Sequence, residues 1–421
     1  MQRYKFQDMN IQKIFAAIIL SSITPALAQP ADEYQAQDVK TVEFRKTGTE
    51  MGLPICTLGE SLTLSFDVIN DSYHRLGYSI KHCNANFEPD ELDFYEFADG
   101  FNNRDIDNYR NSFNTHSTFT HYIIDIPNDD VQLKISGNYI INVFDQSEPD
   151  EIILQKKFMI AEPETQLKIT AQVERPFLSE YSITGQQVKV NIDNSRERMS
   201  NPAGFLKTYV MRNGDINHRH RLEYNFTDAY NIRFHQNDGG NIFDGGNEYL
   251  YFDAKDVNFK ALGIDQIEYN NGIYHYTLTP HYPTDVSYSF KEDLNGQYYI
   301  KNDRGFNRDL ESNYIEVNFR LKYHPIPDGD VYVFGALSNY GFSDANKMTF
   351  DSAENLYRCT MLLKQGLYNY TFIIKHSDGT TEYPDGSWYN TENNYLITIY
   401  NTDYTLRGDR LVWYGFVNTM K

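Results

Sequence analysis

The chain has 421 residues, with 58 Asp or Glu against 38 Lys or Arg, so its formal net charge at pH 7 is −20. An acidic chain is repelled by nucleic-acid phosphates and anionic lipid, which argues against nucleic-acid binding. The length suits two to four domains, and an aromatic content of 15 %, with 34 Tyr and 27 Phe but only 2 Trp, favours β-strands.

The N-terminus has the pattern of an export signal. Lys13 precedes a short apolar stretch from Ile14 to Ile23, and Ala26-Leu27-Ala28 has the small-x-small form of a cleavage site. We therefore predict that residues 1–28 are removed by cleavage between Ala28 and Gln29. No stretch of the sequence approaches the ~18 consecutive apolar residues of a membrane span, so no direct membrane insertion is expected.

Strand patterns begin after a short polar leader. In "SLTLSFDVI", the apolar residues from Leu62 to Val68 alternate with polar ones, which is the period of a half-buried strand. "GNYIINVFDQSEPDEIILQKKFMIAEP" predicts two strands joined by a polar turn at residues 147–150. This hairpin is expected to close a first domain. The acid-rich "EPDELDFYEF" before it could form one helical turn.

The remainder of the chain also reads as strands. A second set starts at Gln166 and ends with "YIEVNFRLKY", in which alternate residues from Ile315 to Leu321 share an apolar face. "HPIPDGD" follows, and its two prolines and Asp-Gly turn indicate a linker. We predict an all-β protein of serial immunoglobulin-like or early-set β-sandwiches, with domains at residues 38–162, 163–322 and 323–421.

The stretch "KHCNANFEPDEL" places His82 beside Cys83, as in a thiol catalyst. Adjacent side chains on a strand point to opposite faces, so the two cannot hydrogen-bond without a sharp turn. The pattern instead predicts a strand end with a buried thiol, followed by a turn in which Asn84 and Asn86 bond the backbone. Cys56 and Cys83 could form a disulfide in an oxidising compartment, although the 3 cysteines are an odd number.

Other candidate sites are weak. "DGGNIFDGGNEY" (238–249) resembles one calcium-type repeat, but such repeats act only when stacked, so a glycine-rich loop is predicted. "NHRHR" (217–221) has two histidines without a recognisable third ligand. The fingerprints of nucleotide sites, zinc proteases and serine hydrolases are missing. The sequence therefore assigns no catalytic, cofactor-binding or metal-binding residue, and we expect a protein that is not an enzyme and uses no cofactor.

Several motifs together resemble one known family. They are "LPICTLG", "KHCNANFEP", "FADGFNNRDIDNYRNSFNTHSTFTHYIIDIPNDDVQLKISGNYIINVF" and "KKFMIAEP", with further likeness at "GNEYLYFD" (246–253) and near the C-terminus. This pattern is similar to the plug protein family of the type IX secretion system, with Phe87 where the family usually has Trp. The resemblance implies that the family motifs are scaffold, and these comprise His82, Cys83, Asn84, Ser112, Phe113, Asn114 and Thr115.

The family resemblance also implies a function. It implies a periplasmic plug, held at the outer membrane by its partner, that occludes the outer-membrane translocon barrel of the type IX secretion system. A weaker resemblance links "DVYVFGALSNYG" and the residues after it to early-set sandwiches that bind glucans, with Tyr340 near the position of a sugar-stacking Trp. The alternative function is therefore a secreted or periplasmic glycan-binding β-sandwich protein.

Overall fold

The structure is a computed structural model that describes residues 33–69, 75–235 and 239–420. The predicted cleavage between Ala28 and Gln29 lies outside these residues. The described chain is built almost wholly of strands, and each α-helix is a single turn of 4 residues, which confirms the predicted all-β class. The acid-rich segment forms the expected turn of helix. None of the helices in the described ranges has the length and apolar character needed to cross a membrane.

The first part of the chain contains β1 (Tyr34–Gln35), β2 (Val39–Lys46), β3 (Ile55–Thr57), β4 (Leu62–Val68), β5 (Leu76–Cys83), α1 (Phe94–Phe97), β6 (Ala98–Gly100), β7 (Arg104–Asp105), β8 (Tyr109–Asn111), β9 (Thr120–Ile126), β10 (Val131–Leu133), β11 (Gly137–Asp145) and β12 (Ile152–Ala161). The middle contains β13 (Lys168–Glu174), β14 (Gly185–Asp193), α2 (Pro202–Phe205), β15 (Leu206–Arg212), β16 (His220–Leu222), β17 (Phe226–Thr227), β18 (Asn231–Phe234), β19 (Ile242–Asp244), β20 (Leu250–Asp253), β21 (Ile264–Asn270), β22 (Ile273–Leu278), β23 (Tyr298–Ile300), α3 (Arg308–Glu311) and β24 (Tyr314–Leu321). The last part contains β25 (Gly329–Phe334), a 3-10 turn (Ala336–Ser338), β26 (Thr349–Asp351), β27 (Leu356–Lys364), β28 (Gly366–His376), β29 (Thr381–Glu382), β30 (Asn394–Asn401) and β31 (Arg410–Asn418).

The first sandwich consists of β1 to β12. One sheet has the order β1-β12-β11-β5-β7, with β3 also on β12, and the facing sheet has the order β2-β4-β9-β8. Alternate residues of both sheets, such as Phe66, Ile80 and Ile141, are fully buried in one shared core. The predicted hairpin is present as the antiparallel pair β11 and β12, and the predicted alternation of β4 supplies Leu62, Leu64, Phe66 and Val68 to the core.

The second and third sandwiches do not follow the expected boundary at residues 322 and 323. The third sandwich consists of β20 to β29, and it is inserted in the chain between strands of the second. The second consists of β13 to β19 together with β30 and β31, because β30 pairs with β15 along its whole length. The prolines of "HPIPDGD" mark only the loop between β24 and β25, both of which belong to the third sandwich. Proline and Asp-Gly punctuation marks a turn wherever it occurs, whether or not a domain ends there.

The outer face of β4 also differs from expectation. Asp67 lies among the residues expected on a polar, solvent-facing side, yet it is fully buried. The reason is that the third sandwich covers this face, and Tyr314 and Lys364 both contact the Asp67 carboxylate. The first sandwich is therefore in contact with the third through polar groups.

Candidate functional site

His82 lies at the end of β5 and is completely enclosed. Its Nδ1 is 2.5 Å from Oδ2 of Asp90, and its Nε2 is 3.3 Å from the carbonyl oxygen of Ser136. Its ring packs edge-on against Tyr139, with 4.9 Å between the ring centroids. Both ring nitrogens are engaged within the protein and the side chain has no exposed surface. His82 therefore orders the strand end and cannot meet a substrate there.

Cys83 is a structural thiol. Burial raises the pKa of Cys83 to about 12, and burial likewise raises the pKa of Cys56 to about 12. A thiol with such a pKa remains protonated at neutral pH and is a poor nucleophile. This chemistry agrees with the interpretation of the His-Cys pair as scaffold.

The disulfide considered between Cys56 and Cys83 is not formed, since all three cysteines are free and buried. Cys56 lies on β3, which pairs with β12, whereas Cys83 lies on β5, which pairs with β11. The two residues are therefore three strand spacings apart in one sheet, or roughly 14 Å at about 4.8 Å per spacing. A disulfide requires Cα atoms within about 7 Å, so sheet geometry forbids the bond.

The turn after Cys83 is the one that the sequence predicts, with one change. Oδ1 of Asn84 accepts hydrogen bonds from the backbone N–H groups of Asn86, at 2.8 Å, and Glu88, at 3.1 Å. Asn86 does not bond the local backbone as expected, because its side-chain oxygen accepts the hydroxyl of Tyr209 at 2.6 Å. Tyr209 belongs to β15, so this segment contacts the second sandwich. We call residues 82–90 the His-Cys-Asn turn.

An aromatic and cationic joint links the His-Cys-Asn turn to the second sandwich. The guanidinium of Arg219 lies 4.6 Å from the ring centroid of Phe87 and 4.4 Å from that of Tyr209, and it donates to the carbonyl of Ala85. The backbone N–H of Ala85 donates to Asp409 at 2.7 Å. Phe87, the departure from the family's usual Trp, is 1 % exposed and packs in an apolar cluster shared by both sandwiches.

The second family motif contacts a different sandwich. We call Ser112 to Thr115 the Ser-Phe-Asn-Thr loop. The backbone N–H of Phe113 donates to the carbonyl of Leu310 at 3.1 Å, and Nδ2 of Asn114 donates to Oε1 of Glu311 at 3.2 Å. Leu310 and Glu311 lie in α3.

The other two residues of this motif shape the loop itself. Ser112 accepts the N–H of Phe119, and Thr115 donates to the carbonyl of Ser117. The two family motifs are therefore not brought together: each lies at a separate joint of the first sandwich.

A buried charge cluster connects the first and third sandwiches, and it comprises Asp67, His121, Tyr314 and Lys364. Oδ2 of Asp67 accepts from Nζ of Lys364 at 2.7 Å and from the hydroxyl of Tyr314 at 2.6 Å. Oδ1 of Asp67 is 2.6 Å from Nδ1 of His121. Burial alone would raise the pKa of Asp67, but the Lys364 ammonium and the His121 hydrogen bond outweigh it, and the pKa is below its usual range.

This cluster is a buried ion-pair network that connects two sandwiches. The side chains of Asp67 and Lys364 are 0 % and 1 % exposed, and the ammonium of Lys364 also lies 4.1 Å from the ring centroid of Phe119. A carboxylate, a histidine and a lysine at hydrogen-bonding distance could support acid–base chemistry in a cleft. Here no open space reaches them, so the cluster holds the first and third sandwiches together.

Titratable groups line two cavities: Glu33, Glu43 and Lys156 line one, and Arg212, Asp215 and His218 line the other. Burial raises the pKa of Glu248 to about 7 and that of Asp293 to about 6. Neither lines the cavity of about 100 Å³ between the three sandwiches or the aromatic cavity of about 250 Å³ beside Tyr383. Within residues 33–69, 75–235 and 239–420, no group of three or more His, Cys, Asp or Glu has the arrangement of a metal site.

Tyr340, which lies near the position of a sugar-stacking Trp in glucan-binding sandwiches, is buried in this protein. Tyr340 is 6 % exposed, and its hydroxyl donates to the carbonyl of Asn213 at 2.6 Å and accepts from Gln297 at 2.8 Å. A sugar-stacking residue must offer a ring face to solvent. Tyr340 instead packs against Phe334, so it offers no such platform.

Residues 39–162 match the family model described as Type 9 secretion system plug protein 1st domain. The match confirms the resemblance predicted from the motifs. It indicates involvement in type IX secretion and an envelope-associated location, and the family is a secretion-system plug domain and not a known enzyme family.

The fold has a solved relative. The crystal structure of a hypothetical protein from Parabacteroides merdae, at 2.30 Å resolution, is similar to this chain with a TM-score of 0.87 and 29 % sequence identity. The similarity covers 92 % of this chain and 98 % of that one, so it includes all three sandwiches. The comparison with curated proteins gives no match.

Sequence reasoning missed the partners of both plug-family motifs. Arg219, Tyr209 and Asp409 complete the joint at the His-Cys-Asn turn, while Glu311 completes the joint at the Ser-Phe-Asn-Thr loop. Arg219 lies in "NHRHR", a motif whose two histidines, and not its arginines, are the candidate metal ligands. No local pattern marks any of these residues, because each acts on a segment more than a hundred positions away.

Proposed function

We propose that this protein is a periplasmic plug that occludes the outer-membrane translocon barrel of the type IX secretion system without catalysing a reaction. The observation that carries the proposal is the match of residues 39–162 to the plug family's first domain. Its characteristic motifs serve as joints between sandwiches, which fits a role in shape rather than in chemistry.

Occlusion of a pore by a folded body requires that the body resist deformation. Three sandwiches in series would bend at simple linkers, because interfaces between domains usually permit relative motion. Here the first sandwich is joined to the second by the Arg219 aromatic contacts and to the third by the buried charge cluster. These joints give the chain the stiffness that a plug needs.

The proposed location follows from the predicted signal and from the family. Cleavage between Ala28 and Gln29 would release the protein into the periplasm, where a partner retains it at the outer membrane. The interface must bury at least ~1,000 Å² to be specific. Because the chain carries a net charge of −20, salt should change the rate of association with a charged barrel rim.

Deletion of the gene tests the proposal. We expect secretion to continue largely unchanged while the outer membrane becomes permeable to large antibiotics or dyes, since an open barrel is then unblocked. The same permeability measurement in a strain that lacks both this protein and the barrel is the control. Leakiness that persists without the barrel would contradict the plug function.

A further inference from the structure

Three loops of the protein expose large apolar side chains. Phe113 is 48 % exposed, Phe259 is 65 % exposed, Leu262 is 71 % exposed and Phe306 is fully exposed. They lie in residues 112–116, 255–262 and 301–307, which we call the phenylalanine loops. Contiguous exposed apolar surface on a soluble protein commonly marks an interaction site.

Two of these loops are fastened to one another around one carboxylate. Oε2 of Glu311 accepts the backbone N–H groups of Phe306 and Asn307 at 2.9 and 2.7 Å, while its Oε1 accepts Nδ2 of Asn114 at 3.2 Å. Glu311 is 5 % exposed. One buried side chain therefore fixes the backbone of the loop that carries Phe306 and of the loop that carries Phe113.

The third loop, residues 255–262, is bonded to the loop of residues 301–307. Nε of Arg304 is 2.6 Å from Oδ1 of Asp256, and the N–H of Asp303 donates to the carbonyl of Lys255 at 3.1 Å. The N–H of Phe259 in turn donates to the carbonyl of Asp256 at 3.3 Å. The loops thus form one neighbourhood from three separate parts of the chain.

We propose that the phenylalanine loops are the surface by which this protein docks on the periplasmic mouth of the translocon barrel, with the phenylalanines entering apolar pockets of the barrel protein. The inference rests on the proposed function and names the part of the molecule that performs it. Aromatic side chains dominate the binding energy of protein interfaces when they fill partner pockets.

Two properties favour a folded protein over a lipid surface as the occupant. The loops are anchored by hydrogen bonds, and such preorganisation improves affinity most for a partner of fixed shape, because it lowers the entropy lost on binding. The chain as a whole carries a net charge of −20, which opposes approach to an anionic membrane.

The charge and size of the phenylalanine loops suit a protein interface. Their 4 basic residues are all ion-paired, Lys255 with Asp253, Lys260 with Asp265, Lys301 with Asp303 and Arg304 with Asp256. Every cation of the loops therefore has a carboxylate partner, which agrees with the depletion of free charge at the centre of protein interfaces. Burial of three phenylalanines and a leucine would remove on the order of 500 Å² from water. That is most of the apolar core of an interface that buries about 800 Å² per partner.

Binding of the full mature protein to the purified translocon barrel in detergent tests this surface. We expect the double variant Phe259→Ser, Phe306→Ser to bind at least about tenfold more weakly than the unmodified protein. Phe177→Ser is the matched control, since Phe177 is 97 % exposed but lies on a different loop, in which Arg175 stacks on Tyr389. It should bind within about twofold of the unmodified protein, and both variants should keep its melting temperature.

The outcomes separate the surface from the function. Unchanged binding of the double variant, or an equal loss in Phe177→Ser, would overturn the docking surface and leave the plug function standing. Failure of the unmodified protein to bind the barrel would overturn the plug function and this inference with it. Vesicles of phosphatidylethanolamine and phosphatidylglycerol form a further arm. Binding to them that depends on Phe259 and Phe306 would show that the loops face lipid, and would also overturn the proposal.

Discussion

The first sandwich meets its two neighbours through joints of opposite chemistry. Toward the second sandwich, Arg219 lies over the aromatic rings of Phe87 and Tyr209 in a largely apolar cluster. Toward the third, Asp67 and Lys364 form an ion pair that is removed from water. The aromatic and cationic joint should weaken gradually as packing contacts are lost, whereas a buried ion pair either is complete or leaves an unpaired charge. The charged joint should therefore be the more sensitive of the two to a single substitution.

Lys364→Met is expected to have the largest effect. The change leaves the Asp67 carboxylate buried without its cation, which should lower the free energy of unfolding by about 3 kcal/mol or more. Urea unfolding followed by tryptophan fluorescence measures the loss. The double variant Asp67→Asn, Lys364→Met should recover part of the stability, because no unpaired charge remains. If Lys364→Met lowers the free energy of unfolding by less than about 1 kcal/mol, the ion pair does not hold the first and third sandwiches together.

Arg219→Met should have a smaller effect, of roughly 2 kcal/mol, because cation–π contacts and one hydrogen bond are lost while the apolar packing is partly kept. Arg221→Met is its control. Arg221 lies two positions away, and its ion pair with Glu223 is largely exposed, so the substitution should change stability by less than about 0.5 kcal/mol. Equal losses in the two variants would show that the stacked arginine adds nothing specific to the apolar joint.

Stability should also depend on Glu248. Its pKa is raised by burial to about 7 in the folded protein, above its value in an unfolded chain. The folded state therefore holds a proton that the unfolded state releases, and stability should fall as pH rises from about 4.5 to about 7. Between about pH 4.5 and about pH 7, Glu248→Gln should make this fall in the free energy of unfolding smaller by an amount on the order of 1 kcal/mol. Thermal melts at several pH values measure it, and an unchanged slope would assign the pH dependence to other groups.

The thiols should give the smallest effect on stability and a clear chemical result. Denaturation without reductant, followed by alkylation, should modify all three cysteines, because Cys56 and Cys83 are on strands too far apart to pair. In the folded protein a thiol reagent should label Cys83 slowly. Rapid labelling of Cys83, or recovery of a peptide that links it to Cys56, would contradict the description of the His-Cys-Asn turn as closed scaffold.

Sequence patterns predict the local features of the fold, whereas contacts between distant segments leave no local pattern. The alternation in β4 and β24, the β11–β12 hairpin and the Asn84 turn are local patterns, and the structure contains all of them. The return of β30 to pair with β15 is a contact between segments about 190 positions apart, which no local pattern records. That pairing is the reason the boundary at residues 322 and 323 does not match the sheets.

The same limit applied to the candidate site. The sequence motifs indicate that His82 and Asn114 matter, but the role of each at a joint depends on the residues that lie opposite it. The clearest missed clue was Asp67, a charged residue in a strongly alternating strand, since its burial required a partner that only the third sandwich supplies. The exposed phenylalanines gave no sequence signal, because a phenylalanine in a loop is usually covered.

The central claim is that this protein closes the type IX translocon barrel from the periplasmic side. Its most direct test is the ionic conductance of the purified barrel in a planar bilayer while the mature protein is added to the periplasmic face. The account predicts that conductance falls toward the bilayer background in a saturable manner, and that the Phe259→Ser, Phe306→Ser variant requires at least about tenfold more protein for the same closure. A barrel that remains fully conducting at saturating concentrations of the unmodified protein would contradict the claim.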